Sequence, residues 1–127
     1  MKAKEYLEQT KYIDMRIHAK LQELETMEQL LLLAVSADGT VGKITALREE
    51  INRDIDELVD QKSEAMRMIG RIGKPVYKTL LELRYIRRWS WKKIEANMHY
   101  SPSCIYKLHS TALKELDRIL EEESKTE

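Results

Sequence analysis

The residues in this chain best equipped for chemistry are cations. Between Arg71 and Lys114 stand ten lysines and arginines (Arg71, Lys74, Lys78, Arg84, Arg87, Arg88, Lys92, Lys93, Lys107, Lys114) and only two acids, Glu82 and Glu95. The 127 residues carry 22 basic and 22 acidic side chains, so a net charge of zero hides a local excess of eight positive charges. A segment of that sign makes its own field and attracts phosphate. A merely solvated helix face would not require the acids to be missing.

The spacing inside this segment is equally specific. Ser90 is a good N-cap for a short helix from Trp91 to Met98, and His99-Tyr100 turns the chain. Ser101 caps again, with Pro102 at the first helical position. Residues 90–108 therefore follow helix-turn-helix grammar, in which the second helix enters the DNA major groove. Ile94, Met98, Ile105 and Leu108 would hold the two helices at one angle. Ser103, Tyr106, Lys107 and Ser110 fall outward and are candidates to reach base edges. Arg84, Arg87, Arg88, Lys92 and Lys93, with the caps Ser90 and Ser101, are candidates for backbone phosphates.

Other chemistry is poorly supported. His99, Cys104 and His109 stand five residues apart, and steps of five leave Cys104 and His109 about 140° apart on a helix, so they do not share a face for a metal. A lone Cys104 lacks a resolving partner for redox sensing. Glu49-Glu50 and Asp54, Asp56 and Glu57 alternate with Arg48, Arg53 and Lys62, as expected of a solvated helix face. Trp89, Trp91, Tyr77 and Tyr85 read as packing residues, whereas Tyr106 faces outward. No phosphate loop, nucleophile–base set or metal-ligand motif appears, so neither an enzyme nor a cofactor is expected.

The elements that must position these residues are helical. Helix formers dominate, with only four Gly, two Pro and no Phe, too few turn signals for a many-stranded sheet. Residues 3–34 lack Pro and Gly, and Ile13, Ile17, Leu21, Leu24, Met27, Leu31 and Ala34 repeat at about 3.5 residues, a coiled-coil seam about 45 Å long. Ser36-Ala37-Asp38-Gly39-Thr40 breaks this helix with a turn of positive φ and a cap. A second stripe follows in Ile44, Leu47, Ile51, Ile55, Leu58, Met66 and Ile69, so the two helices should pair antiparallel. The leucines Leu30 to Leu33 exceed what one partner helix can cover, which suggests either an oligomer contact or burial under the loop or the C-terminal half. Gly70 to Pro75 ends the hairpin. Val76, Leu80 and Leu83 stripe a helix to about Arg87, and Ile105, Leu108, Ala112, Leu116 and Ile119 line the last helix. That helix is expected to fray at Glu121-Glu122-Glu123. No apolar run approaches a membrane span, so a soluble, cytoplasmic protein is expected.

Leu80-Leu81-Glu82-Leu83-Arg84-Tyr85, Ser90-Trp91-Lys92-Lys93-Ile94, Tyr100 to Leu108 and Ala112-Leu113-Lys114-Glu115-Leu116 resemble region 4 of bacterial sigma factors. The chain also resembles a family of phage-encoded proteins related to the ArpU and RinA late-gene transcriptional regulators. Ala3-Lys4-Glu5-Tyr6-Leu7, Glu49-Glu50-Ile51-Asn52 and Tyr100-Ser101 with Ile105-Tyr106 and Leu108-His109 carry that match. It covers most of the chain, with its specific pattern in residues 76–116. The resemblance implies that Pro102, Ser103 and Lys107 face bases and that Arg84 and Lys92 lie near the DNA backbone. Two positions depart from the pattern: Glu95 stands where a small residue is usual, and His99 where Gly is usual.

The expected fold is thus all-α. It comprises a long antiparallel helical hairpin (1–70), a sigma region-4-like helix-turn-helix module (74–120) and an acidic tail (121–127). The expected function is a DNA-binding transcriptional regulator of phage type in the bacterial cytoplasm. Its partners would be double-stranded DNA, RNA polymerase, and a second copy docked through the N-terminal helices. The alternatives are a small-terminase-like DNA-packaging component and a protein-binding adaptor.

Overall fold

The computed structural model describes residues 2–33 and 39–126. Among them all regular structure is helical: α1 (Ala3–Leu32), α2 (Thr40–Ile69), α3 (Pro75–Leu81), α4 (Trp91–Met98) and α5 (Pro102–Thr126). A π-helical turn, Glu82–Ile86, prolongs α3. The fold is all-α and opens with a long helical pair. No helix among the described residues is long and apolar enough to cross a membrane. The expected end of the first stripe at Ala34 and the turn at 36–38 lie outside the described residues. Gly39 beside them has the positive φ anticipated there, +81°.

The chain forms two compact units. The first, residues 10–61, is the hairpin. Ile13 and Ile17 of α1 and Ile44, Leu47 and Ile51 of α2 are its buried seam. Arg16 meets Asp54 and Glu28 meets Arg48, so positions rise on one helix as they fall on the other. The pair is antiparallel.

The seam differs from expectation at several places, including Leu21 of α1, which is 44% exposed. Ile55 is 41% exposed while Asp54 is only 8% exposed. Successive steps of three and four residues carry the seam from Ile51 through 54 to Leu58, and one residue further turns Ile55 about 100° away. Asp54, expected on a solvated face, is therefore removed from water. It accepts hydrogen bonds from Lys20 Nζ at 2.8 Å and Arg16 Nη2 at 3.2 Å. Met66, also expected on the stripe, is 48% exposed.

The second unit gathers residues before 10 and after 61. Ala3 and Leu7 of α1 and Ala65, Met68 and Ile69 of α2 are buried with Leu81, Tyr85, Ala112, Leu116 and Ile119. The Ala3 N–H donates to Asp117 Oδ1 at 2.5 Å, so a carboxylate on α5 caps the first turn of α1. The division thus falls inside α1 and α2, not at the Gly70–Pro75 break, because apolar residues of their outer ends complete this second core. Nor does the acidic end of the chain fray. It is helical to Thr126, where Glu123 accepts from Arg67 and Arg71, and Glu122 from Arg118.

The Lys20 hydrogen bond, reinforced by Arg16, holds the Asp54 carboxyl below its usual value of 3.8. A depressed carboxyl contributes stability that is present above about pH 4 and lost as pH falls through its folded value. Thermal unfolding of the hairpin should therefore shift downward on acidification from about pH 5 to about pH 3. Asp54→Asn should lower the midpoint by several degrees at neutral pH and flatten that dependence. An unchanged midpoint and pH profile would remove Asp54 from the forces that hold the hairpin.

Candidate nucleic-acid interface

The short helix α4 begins where the sequence places a cap. Ser90 is extended (φ −67°, ψ 156°) and its Oγ accepts the Lys93 N–H at 3.2 Å. At the other end His99 takes a left-handed conformation, φ 59° and ψ 39°, while its N–H reaches the Glu95 carbonyl. Histidine tolerates this region better than most side chains, so it can do the work of the usual Gly. Ser101 then starts α5, its Oγ accepting the Cys104 N–H at 3.2 Å. Three fully buried side chains, Leu80, Ile94 and Ile105, clamp α3, α4 and α5 together. Leu83, Trp89, Trp91, Met98 and Leu108 pack around them.

The connector ahead of α4 is held by the π turn, which periodicity alone did not reveal. Arg87 N–H donates to the Glu82 carbonyl and Trp89 N–H to the Leu83 carbonyl, both at 3.0 Å. Arg88 adopts φ 59°, and Arg84 Nη1 donates to the Trp89 carbonyl at 3.0 Å. The Arg84 guanidinium also lies 4.5 Å from the Trp91 ring centre, and Lys93 Nζ 4.1 Å from that of Trp89. Both tryptophans are half-buried packing residues, each with a cation on its face.

The candidate base-facing residues separate into two groups. Pro102, Ser103, Tyr106 and Lys107 are exposed together on the first turns of α5, with Tyr106 75% exposed. Ser110 is half-buried and sits at the edge of that face. Of the candidate backbone contacts, Ser90, Ser101, Lys92, Lys93 and Arg87 are exposed. Arg84 and Arg88 are half-buried, and Arg84 is committed to the connector. Glu95 is half-buried at the α4–α5 junction, while Ala96 beside it is exposed.

Charge pairing sharpens the polarity. Arg67, Arg71 and Arg118 are matched by Glu64, Glu115, Glu122 and Glu123. Lys78, Lys92, Lys107 and Lys114 enter no ion pair among the described residues, and Arg87 approaches Glu82 only to 4.0 Å. The basic segment keeps its field.

The family model described as "Protein of unknown function (DUF1492)" matches residues 35–117, well over half of the chain. The chain belongs to the DUF1492 family. Its matched segment runs from before α2 into α5 and so includes the whole of α3, the π turn and α4. No curated protein and no solved structure matches the chain.

Two features of this DUF1492 chain escaped the reading of its sequence. Lys4 and Glu8, on the first turns of α1, line a cleft with Pro102, Tyr106 and His109 of α5. His109 is the second: its Nε2 shares a 2.7 Å hydrogen bond with Tyr85 Oη, and its ring meets the edge of Trp91 at 4.8 Å. Burial, aided by Lys4 and Arg84, lowers the His109 pKa from 6.5 and so favours the neutral ring. Burial also pushes the Tyr85 phenol up to about 12. The signal for His109 was its register, four residues after Ile105 and three before Ala112, both buried.

The turn is directly testable. His99→Gly should stabilise the protein by about 0.5–1 kcal/mol, because glycine adopts the left-handed region without a Cβ penalty. His99→Val, with a β-branched side chain at positive φ, should destabilise it. Chemical denaturation of both variants checks this; a loss of stability in His99→Gly would show that the side chain, not the backbone, decides the turn.

Proposed function

We propose that this protein is a DNA-binding transcriptional regulator of phage type, acting in the bacterial cytoplasm with α5 as its recognition helix. The observation that carries the reading is the exposed face of Pro102, Ser103, Tyr106 and Lys107, beside Lys92, with neither lysine in an ion pair among the described residues. The Lys107 ammonium suits the O6 and N7 acceptors of guanine, and Tyr106 and Pro102 suit apolar contact with a thymine methyl. Lys92 and Lys93, with the Ser90 and Ser101 hydroxyls, suit phosphates on either side. Arg84 supports the surface from behind by bracing Trp89 and Trp91. The likeness of residues 76–116 to sigma factor region 4 favours the same docking, with RNA polymerase as a second partner.

One recognition helix with a single lysine on its base face binds weakly. Two copies on a repeated or palindromic site would remedy this. The hairpin offers a surface for a second copy: Leu30, Leu32 and Leu33 are 49, 85 and 71% exposed.

A salt titration on labelled duplex DNA tests the reading. The logarithm of the binding constant should fall linearly with the logarithm of salt concentration, by about 0.9 per phosphate neutralised. Lys92→Ala should make that slope shallower by about one phosphate's worth on every sequence. Lys107→Ala should cost about 1–3 kcal/mol on the preferred site and relax its specificity. Absence of binding at about 50 mM salt would overturn the proposal.

A further inference from the structure

The first turns of α1, the π turn, α4 and α5 enclose a cleft of about 440 Å³. That volume lies in the range of small-molecule sites, roughly 300–1,000 Å³. Its lining combines three kinds of chemistry. The Tyr85, Trp91 and His109 rings lock one another in its wall: His109 stacks on Tyr85 at 5.8 Å and meets the edge of Trp91 at 4.8 Å. Tyr106 also lines the cleft and is 75% exposed, and its ring packs on no other ring among the described residues. Glu8 and Glu95 are half-buried carboxylates there, and Lys4 is an exposed ammonium. None of these three enters an ion pair among the described residues.

This combination selects its ligand by exclusion. A purely apolar molecule would bury the Glu8 and Glu95 carboxylates without a hydrogen-bond donor, which is costly. A bare anion would meet those carboxylates, and a bare cation would meet Lys4 and Arg84. The ligand must be planar, to stack on the free Tyr106 face. It must also carry N–H donors for the carboxylates and a separate anionic group for Lys4.

We propose that the cleft binds a nucleotide whose base carries an exocyclic amino group: cytosine, adenine or guanine. The amino group donates to Glu95 or Glu8, as carboxylates accept from cytosine N4. The base stacks on Tyr106, and the phosphate pairs with Lys4. Thymine, which has no exocyclic amine, presents carbonyl oxygens to the same carboxylates and is disfavoured. The ligand reaches the cleft either as a free nucleotide or as an unpaired nucleotide of a strand. The cleft shares Pro102 and Tyr106 with the proposed DNA face, so nucleotide and duplex would compete there.

Calorimetric titration of the full chain with cytidine, adenosine, guanosine and thymidine monophosphates tests the site, with free tyrosine as an aromatic zwitterion. At least one of cytidine, adenosine and guanosine monophosphates should bind saturably, and thymidine monophosphate at least about tenfold more weakly. Lys4→Ala, Glu95→Ala and Tyr106→Ala should each weaken binding by about fivefold or more. A short oligo-dC strand that binds as well as the free nucleotide assigns the source to a strand; binding of the monophosphate alone assigns it to a free nucleotide. Equal binding of all four nucleotides, preference for tyrosine, no saturable binding, or affinity unchanged in the Lys4 and Tyr106 variants would each overturn the proposal. Duplex binding retained in any of those cases leaves the proposed function standing.

Discussion

Everything proposed for this chain depends on the angle between α4 and α5, and three side chains hold that angle. Leu80, Ile94 and Ile105 are removed from water almost completely, which for residues of this size is worth about 1.5–3 kcal/mol each before conformational entropy is counted. Because each lies on a different helix, none can leave without opening the contact of the other two. The left-handed His99 brings the chain back sharply enough for Ile94 and Ile105 to meet. The π turn and Arg84 deliver Ser90 at the place where α4 must begin. Pro102, Ser103, Tyr106 and Lys107 share an exposed face because this small core has fixed the helix that carries them.

Electrostatics follow from the same packing. Acids and bases are equal in number, yet they are not distributed so as to cancel. In the hairpin, Arg16, Lys20 and Arg48 are satisfied by Glu28, Glu50, Asp54 and Glu57. At the end of α5, glutamates satisfy Arg67, Arg71 and Arg118. Exposed pairs of this kind add little stability. Their larger consequence is that these acids are occupied by their own partners, whereas Lys92 and Lys107 enter no ion pair among the described residues. A phosphate backbone responds to that local field, not to the net charge of the chain.

What could be read from the sequence was local. Ser90, Ser101 and Pro102 mark helix starts through their own chemistry, and the periodicity of Ile13, Ile17, Ile44, Leu47 and Ile51 marks the hairpin seam. The misplacements all involve contacts between residues far apart in the chain. Asp54 is buried because Arg16 and Lys20, on another helix, arrive to satisfy it. Ala3 and Leu7 belong to the core of the second unit because Asp117 and Leu116 receive them. The end of α5 stays helical because Arg67 and Arg71 hold its glutamates. The π turn adds a residue per turn that a period of 3.6 does not anticipate. Of the candidate site, the exposed α5 face was legible as spacing. The Lys4 and Glu8 contribution was not, since nearly a hundred residues separate Glu8 from Tyr106.

The central claim is that DNA is taken by the first turns of α5 and the start of α4. Amide chemical-shift mapping of the labelled protein on titration with a duplex from its own upstream region tests this most directly. The account predicts that the largest changes fall on residues 101–110 and 90–93, with smaller changes near Lys4. Changes confined to the hairpin, residues 10–61, would contradict it and reassign the interaction to that unit.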